Sequence, residues 1–192
     1  MNRPVLIDAL LSVDKQTYPN LEIVLIDSTG VGLDVYKSTT IRTSLREVSS
    51  GTPWNRPAAA NVALANAKGD FLIFLDEDDL IAPRHIEELM QALAENPTYL
   101  LAYSNTQVID IDGSPTDFIF SRSFDAALLK QDNYLPIHSV LFSSSLRDFG
   151  CKFDEHLDIY EDWDFWLQCS THSDFYHLPV LGAFYRKGGT SG

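Results

Sequence analysis

Residues 71–79 read FLIFLDEDD, five apolar residues followed by four acidic ones. A short unbroken apolar run of this kind predicts a strand that is buried on both faces. In open α/β sheets, ligands collect beyond the carboxyl ends of the strands. Asp76 and Asp78, one residue apart, could there share a hard divalent cation such as Mg²⁺ or Mn²⁺. Taken alone, the acids could instead form a solvated turn or, for Asp79, cap the element that follows.

On either side of this stretch, helical and strand patterns alternate, which predicts an α/β fold with one domain over residues 1–192. The predicted helices cover 4–16, 57–67, 83–95, 144–149 and 162–171. The predicted strands cover 21–27, 71–75, 99–103, 106–111, 116–121, 138–142 and 175–186. The polar segment 28–55 has room for one short strand that the sequence does not place.

Composition narrows the classes of function. Of the 192 residues, 45% are apolar and 21% are charged, as in ordinary soluble domains. A net charge of −13 argues against nucleic acid as a partner and disfavours an anionic membrane surface, because both require clustered Lys and Arg. The same charge means that an anionic diphosphate substrate would need a bound cation.

Targeting and redox signals are few. No run of about 18 apolar residues is present, so no transmembrane segment is predicted. Asp8 and Asp14 interrupt the apolar stretch near the amino end, which does not fit a signal peptide. Cys151 and Cys169 are too few and too scattered for a disulfide framework or a zinc site. They predict reduced thiols in a cytoplasmic protein.

A second acidic cluster reads EDWDFW over residues 161–166. Acids in the first turn of a helix are favoured by its dipole, and two Trp residues three positions apart usually pack into a core. A carboxylate beside such apolar walls can also have a raised pKa and serve as a general base. The sequence leaves both interpretations of the cluster open.

Three further polar residues are candidates for the same site. Arg56 and Asn61 flank a run of alanines that predicts a helix, and a helix amino end beside an Arg is a plausible phosphate or nucleotide contact. A surface Arg and a helix-start Asn are the simpler interpretation. His138 could lie near an acceptor, although a core or surface His is the commoner case.

Read together, these stretches resemble the large family-2 glycosyltransferases. The matching stretches are 9–13, 16–23, 56–61, 67–71, 74–79, 153–155 and 161–166. Their order and spacing, rather than any single match, carry the resemblance. It implies a GT-A (nucleotide-diphospho-sugar transferase, Rossmann-like) fold, a three-layer αβα sandwich with a mixed, mostly parallel central sheet.

The resemblance also implies an activity. A sugar would pass from a nucleotide-diphospho-sugar, most readily a UDP-sugar, to an acceptor hydroxyl on a carbohydrate or lipid-linked molecule, with inversion and a Mg²⁺ or Mn²⁺ ion, in polysaccharide or glycan synthesis. A homo-oligomer is possible. The implied site residues are Asp162 and Glu161 for catalysis, Asp76 and Asp78 (a DxD motif) for the metal, and Asp27, Arg56, Asn61 and Asp76 for the donor.

The chain departs from the family pattern in two places. The apolar strand that usually opens the domain is not found ahead of 4–16, so the domain is expected to be short at its amino end. The exposed flank of 21–27 should then be covered by 28–55 or by a second subunit. In addition, Asp27 is followed by Ser28 where the family usually has two acids.

Two other functions compete with the transferase. A non-catalytic GT-A domain that binds sugar or a protein partner fits the short amino end, whereas the intact acidic motifs oppose it. A nucleotidyltransferase can share this type of sheet and metal use, but the Gly-rich basic loop of such enzymes is not found near the amino end.

Overall fold

The structure is a computed structural model that describes residues 4–33, 37 and 39–188. The helices are α1 (Pro4–Asp14), α2 (Arg56–Asn66), α3 (His85–Glu95), α4 (Ala126–Leu129), α5 (Ser145–Asp148) and α6 (Glu161–Cys169). The strands are β1 (Glu22–Ile26), β2 (Ser44–Val48), β3 (Phe71–Ile73), β4 (Leu80–Ile81), β5 (Leu101–Ile109), β6 (Pro115–Phe120), β7 (Val140–Ser143) and β8 (Phe175–Arg186). A 3-10 turn at Ile137–Ser139 precedes β7.

Most predicted elements are confirmed. The strands predicted at 99–103 and 106–111 form one strand, β5, whose ladder with β8 is broken by register shifts around Asn105. The short elements β4 and α4 were missed because two and four residues are too short to show a hydrophobic period. Within the described part of the chain, no helix is long and apolar enough to cross a membrane.

The strands form a mixed sheet in the order β3–β7–β5–β8–β4, with β6 paired to β5, and a separate β1–β2 pair. Among the described pairings, β1–β2 and β5–β8 are parallel, whereas β3–β7, β5–β7, β5–β6 and β4–β8 are antiparallel. The sheet is therefore mixed, as expected, and its longest ladder, between β5 and β8, is parallel. Short connections such as the Asp112–Gly113 turn between β5 and β6 join antiparallel strands, because a parallel crossover needs a dozen or more residues.

Helices cover both faces of the larger sheet, so the expected three layers are present. Side chains of β5 and β7 alternate between the faces. On one face, Leu101 and Phe142 pack in a core with Phe165 and Trp166 of α6. On the other face, Ala102 and Leu141 pack against Leu89 and Leu93 of α3.

The strands that flank the acidic motif are less buried than the sequence predicts. Every residue of β3 is only half-buried, as are Ile23, Val24, Leu25 and Ile26 of β1. Both strands lie beside an open cavity of about 730 Å³, which accounts for their exposure. Segment 28–55 supplies β2, which pairs with one edge of β1, and no second ladder of β1 is found among the described residues.

Gly182 occupies a crowded position in β8. It faces the point where β5 and β8 change register, and a Cβ atom there would lie 2.5 Å from Ser104 Oγ and closer still to His85 Nδ1. Both neighbours are buried side chains that also contact each other through a Ser104–His85 hydrogen bond of 3.3 Å.

We predict that Gly182→Ala lowers the free energy of unfolding by about 1–3 kcal/mol, because a methyl group overpacks this site. Urea unfolding followed by circular dichroism measures the change. Leu181→Ala is the control, since the neighbouring Leu181 side chain is 46% exposed and its loss should change stability by less than about 0.5 kcal/mol. Equal effects of the two substitutions would contradict the packing argument.

Asp14 ties the end of α1 to the start of β2. Its carboxylate accepts hydrogen bonds from the backbone N–H groups of Thr43 and Arg42, both at 2.8 Å, and pairs with the Arg42 guanidinium. The hydrogen bond from the Thr43 backbone is the largest contribution to the pKa of Asp14. Burial opposes it, and the other Arg42 and Thr43 hydrogen bonds add to it. Together they lower the pKa of Asp14 from 3.8 to about 2.

The stabilisation by the Asp14 carboxylate should therefore depend on pH. A lowered folded-state pKa stabilises the protein above the unfolded-state value near 4, and this contribution is lost as pH falls towards 2. We predict that Asp14→Asn lowers the urea midpoint at pH 7 and that its difference from the parent narrows between pH 4 and pH 2. Asp117→Asn, an exposed charge-matched control, should show no such narrowing. A difference that does not vary with pH would refute the role of the charge.

Candidate active site

The acidic motif forms a tight turn beyond β3. Phe74 and Leu75 carry the chain from Ile73 to Asp76, and the backbone N–H of Asp79 donates to Asp76 O at 3.2 Å before β4 begins. Asp78 and Asp79 are buried, whereas the Asp76 side chain keeps 29% of its surface exposed. The carboxylates thus lie at the carboxyl end of the strand, as the sequence predicts.

Arg56 joins this turn to the second acidic cluster. It is the first residue of α2, which Asn55 caps by accepting a hydrogen bond from Ala58 N at 3.1 Å. Arg56 Nη2 lies 2.7 Å from Asp76 Oδ2, and Arg56 Nε lies 2.7 Å from Glu161 Oε1. One guanidinium therefore bridges two motifs that are 85 positions apart in sequence.

The charges around Arg56 define the site. Burial disfavours the charged guanidinium, but the carboxylates of Asp76, Glu161, Asp162 and Asp78 outweigh it and raise the pKa of Arg56. The structure thus brings both predicted acidic clusters to one place, around one cation. Charge of one sign concentrated in this way favours binding of further cations.

The carboxyl group of Asp76 has a pKa above the usual value for aspartate. Burial raises the pKa of Asp76 to about 6, and the neighbouring Asp79 and Asp78 carboxylates add to this, against the opposing effect of Arg56. A hard divalent cation would relieve this repulsion, and two carboxylates suit Mg²⁺ or Mn²⁺. The donor set therefore fits the predicted metal. Across the described residues, no group of three or more His, Cys, Asp or Glu side chains forms a metal site by protein ligands alone.

The second cluster opens helix α6. Tyr160 precedes the helix with φ +64°, and Glu161, Asp162 and Asp164 lie in the first turn, where the helix dipole favours acids. Glu161 is buried against Arg56. Asp162 is half-buried: its Oδ1 accepts from Trp163 N at 2.7 Å and its Oδ2 accepts from Asn133 Nδ2 at 3.2 Å.

The two Trp residues support this helix rather than the site. Trp166 is fully buried in the core and donates to Leu135 O, while Trp163 donates to Leu129 O at 2.6 Å. Both hydrogen bonds fix α6 against the chain that leads towards β7. The structural interpretation therefore holds for the two aromatic residues, while the acids of the first turn contact Arg56, Asn133 and Gln168 instead of the core.

Asp79 and His138 form a buried pair beneath the acidic turn. Asp79 Oδ1 accepts from the backbone N–H of Arg186 at 2.8 Å, and its Oδ2 lies 2.9 Å from His138 Nδ1, a distance suited to an ion pair although the ring is not aligned for a hydrogen bond. His138 stacks on Tyr185. Asp79 thus anchors the turn to β8 instead of capping a helix, which no local spacing could have predicted.

Two predicted donor residues are engaged in protein contacts. Asp27 is fully buried at the end of β1, where burial acts to raise its pKa, but hydrogen bonds from Thr29, Gly32 and Ser49 outweigh it and bring the pKa to about 2. It lines the cavity beside Arg56 and Asp76.

Asn61 is hydrogen-bonded to the segment that precedes α6. Its Oδ1 accepts from Phe153 N at 2.9 Å, and its Nδ2 donates to Phe153 O and Glu155 Oε1. These bonds fasten α2 to the segment ahead of α6. The role of Asn61 in the donor site stays a prediction, and its visible role is to align the two helices that carry Arg56 and Glu161.

Known structures of similar fold bind nucleotide sugars. Staphylococcus aureus TarS, solved also with UDP and with UDP-GlcNAc, superposes with a TM-score of 0.75 at 18% identity over 95% of this chain and 57% of that one. The Pyrobaculum calidifontis mannosyltransferase PcManGT, solved with GDP-Man and Mn²⁺, gives a TM-score of 0.68 at 16% identity over 94% of this chain and 52% of that one. These likenesses confirm the GT-A fold.

Sequence comparison finds relatives that are also glycosyltransferases. An uncharacterized glycosyltransferase of Haemophilus influenzae is 31% identical over 166 residues, which are 83% of this chain and 64% of the relative. The glycosyltransferase YwdF of Bacillus subtilis, also uncharacterized, is 24% identical over 95% of this chain and 69% of its own length. Residues 1–123 match the model of glycosyl transferase family 2. On this match, and with the GT-A fold and acidic edge described above, the chain belongs to glycosyl transferase family 2.

Proposed function

We propose that residues 1–192 form one catalytic domain that transfers a sugar, with inversion, from a nucleotide-diphospho-sugar to an acceptor hydroxyl in polysaccharide or glycan synthesis. The observation that carries the proposal is the convergence of Asp76, Asp78, Glu161 and Asp162 on Arg56 at the carboxyl edge of the strands. Glycosyl transfer with inversion needs a general base and stabilisation of the leaving diphosphate, and this cluster contains candidates for both.

Asp162 is the proposed base. It lies in the first turn of α6, half-buried, with one oxygen held by the neighbouring backbone and the other by Asn133. These contacts fix the carboxylate while leaving lone pairs on each oxygen for an acceptor hydroxyl. As the hydroxyl oxygen bonds to the anomeric carbon, Asp162 accepts its proton and the bond to the diphosphate breaks on the opposite face, which inverts the configuration.

Glu161 and Arg56 are proposed to position this base. The Glu161 carboxylate is buried and paired with Arg56 Nε, so the first turn of α6 is fixed relative to the acidic turn. Arg56 Nη2 reaches Asp76, at the place where a donor would lie. A guanidinium there can also donate hydrogen bonds to phosphate oxygens when the donor binds.

Asp76 and Asp78 are proposed to hold Mg²⁺ or Mn²⁺. When bound, the ion supplies Lewis-acid stabilisation of the diphosphate leaving group. The chain's part is to present two adjacent carboxylates on a turn that Asp79 anchors to β8. Support for this cation comes from the raised pKa of Asp76 and from the Mn²⁺ in the structure of PcManGT.

The donor is proposed to be a UDP-sugar, by analogy with TarS, which was solved with UDP-GlcNAc; PcManGT with GDP-Man leaves GDP-sugars as the second choice. Asp27 at the end of β1 is proposed to contact the nucleotide base, since it lines the cavity that also contains Arg56 and Asp76. The proposed acceptor is a carbohydrate or a lipid-linked molecule. We also propose that the protein forms a homo-oligomer and is located in the cytoplasm.

We predict that Asp162→Asn lowers transfer to a panel of sugar acceptors by roughly a hundredfold or more, because the amide cannot accept the proton, while donor binding stays nearly unchanged. Release of UDP or GDP from a panel of nucleotide sugars measures transfer, and calorimetry measures binding. Asp164→Asn, two residues along the same helix and bonded to Gln168, is the matched control and should keep most of the rate.

Two outcomes would count against the proposal. A parent-like rate for Asp162→Asn would exclude Asp162 as the base. Donor binding without transfer by the parent chain, across all donors and acceptors, would favour the non-catalytic sugar- or partner-binding domain.

We also predict that nucleoside diphosphate binding requires a divalent cation. UDP and GDP titrated with Mn²⁺ should bind at least tenfold more tightly than with excess chelator, because their phosphates otherwise meet an acidic edge. Asp78→Asn should remove most of this difference, whereas the exposed Asp117→Asn should retain it. If UDP and GDP bind as tightly in excess chelator as with Mn²⁺, the proposed role of the metal is wrong.

A further inference from the structure

Two large apolar side chains are exposed directly ahead of the acids of α6. Ile159 and Tyr160 each keep 59% of their surface exposed. The core beneath α6 is filled by other residues of the helix, among them Phe165 and Trp166. A single exposed apolar residue is ordinary, but two consecutive ones here lie next to the proposed base. This surface is therefore a candidate for contact with a ligand.

The backbone of Tyr160 has a conformation that tyrosine rarely adopts. Its φ of +64° and ψ of +21° lie in the left-handed helical region. Among the described residues, every other residue with a positive φ is a glycine. A Cβ atom makes this region unfavourable, so that Gly or Asn would be the more stable choice ahead of the helix. Strained residues of this kind cluster at functional sites, which suggests that the Tyr160 ring has a use.

The ring of Tyr160 has a firm support. It meets the ring of Trp163 edge to face, with the two centroids 5.7 Å apart. Trp163 is itself fixed, because its Nε1 donates to Leu129 O at 2.6 Å. Within the described part of the chain, the Tyr160 hydroxyl makes no hydrogen bond. The side chain is therefore a preorganised aromatic surface with a hydroxyl that a ligand can engage.

Tyr160 also lies close to the proposed base. It is two positions ahead of Asp162, so the two Cα atoms are about 5 Å apart on one turn. The backbone N–H of Asp164 donates to Tyr160 O at 3.0 Å, which makes Tyr160 the start of the turn that carries Asp162. A molecule of sugar size whose hydroxyl reaches Asp162 is large enough to contact Tyr160 as well.

The charge of the surroundings selects the class of ligand. Residues 153–170 contain six acids and no Lys or Arg. Three of these acids, Asp154, Glu155 and Asp158, are exposed ahead of Tyr160. Carboxylates repel phosphate and carboxylate groups, whereas they accept hydrogen bonds from hydroxyl groups. A hydrocarbon chain offers them no donor. The surface therefore suits a neutral molecule that has one apolar face and several hydroxyl groups.

We propose that Tyr160 binds the acceptor and that the acceptor is a neutral carbohydrate with a pyranose ring, an inference that rests on the proposed function and on Asp162 as its base. The C–H groups on one face of the pyranose pack on the aromatic ring, where their partial positive charge meets the negative π face. This contact also removes apolar surface of both rings from water. The Tyr160 hydroxyl hydrogen-bonds the sugar, and one sugar hydroxyl is directed to Asp162.

The test measures binding of three probes by saturation-transfer NMR with UDP and Mn²⁺ present: methyl β-D-glucopyranoside, methyl β-D-galactopyranoside and methyl α-D-mannopyranoside. Tyr160→Gly and Tyr160→Asn both suit the left-handed backbone but remove the ring. Each should weaken binding of the probe that the parent binds best by about tenfold or more. Tyr160→Phe keeps the ring and should stay within about threefold of the parent.

Phe149→Ala is the matched control. Phe149 is 55% exposed and, like Tyr160, contacts a neighbouring ring, that of His172. It follows α5, whose start is bonded through Ser144 N to Asp70 O at the amino end of β3, the end opposite the acidic turn. Its loss should leave binding of the probes unchanged. The urea midpoints of Tyr160→Gly and Tyr160→Asn should stay close to that of the parent, because relief of the strained backbone offsets the lost ring contact.

Several outcomes would overturn the inference. Parent-like binding by both ringless variants, or an equal loss in Phe149→Ala, would exclude Tyr160 as the binding surface. A loss in Tyr160→Gly but not in Tyr160→Asn would show that the backbone, not the ring, is responsible. Failure of the parent to bind any of the three pyranosides would contradict the carbohydrate. Preferred binding of 1-hexanol would indicate a lipid chain, and equal binding of open-chain sorbitol would indicate any polyol.

The proposed function can fail separately from this inference. Binding of the pyranosides is measured at equilibrium and needs no transfer. Pyranoside binding that depends on Tyr160, in a parent chain that transfers no sugar, would support the acceptor site and contradict the transferase. Transfer by the parent without such binding would support the transferase and contradict only the role of Tyr160.

Discussion

The bridge that Arg56 forms between Asp76 and Glu161 is the contact on which the candidate site depends. Both contacts are 2.7 Å, and each reaches an acid on a different element. Without a cation between them, the acidic turn and the start of α6 would repel each other, since Asp78 and Asp162 lie close by. Because Glu161 is buried, its charge also needs this partner to avoid an uncompensated desolvation penalty.

The sequence predicted the residues of this site better than their contacts. The acids after 71–75 and those at 161–166 were found from composition and position, because carboxylates at a strand end and at a helix start follow local rules. The pairing of Asp79 with His138 and Arg186 was not predictable, since it joins positions up to 107 apart. Asn61 was expected at the donor but bonds Phe153, a contact that no local pattern encodes.

For the fold as well, the sequence predicted local elements better than the contacts between them. Long periodic helices such as α3 and apolar strands were placed to within a few residues, whereas β4 and α4 are too short to show a period. The mixed sheet was expected from the resemblance, but the order of its strands was not predicted because it depends on long-range pairing. The half-burial of β1 and β3 also contradicts their apolar sequences, and it marks the place where local patterns and the tertiary structure disagree.

The charge balance at the carboxyl edge explains why a cation and an arginine should act together. Asp76, Asp78, Glu161 and Asp162 all act on Arg56, so the named groups carry more negative than positive charge at neutral pH. A diphosphate adds further negative charge, and Arg56 is already engaged by two carboxylates. Arg56 contacts Asp76 through one carboxylate oxygen, Oδ2, and a carboxylate can accept on both of its oxygens. A divalent ion and the guanidinium could therefore share Asp76, and together they would offset the negative charge that a diphosphate adds.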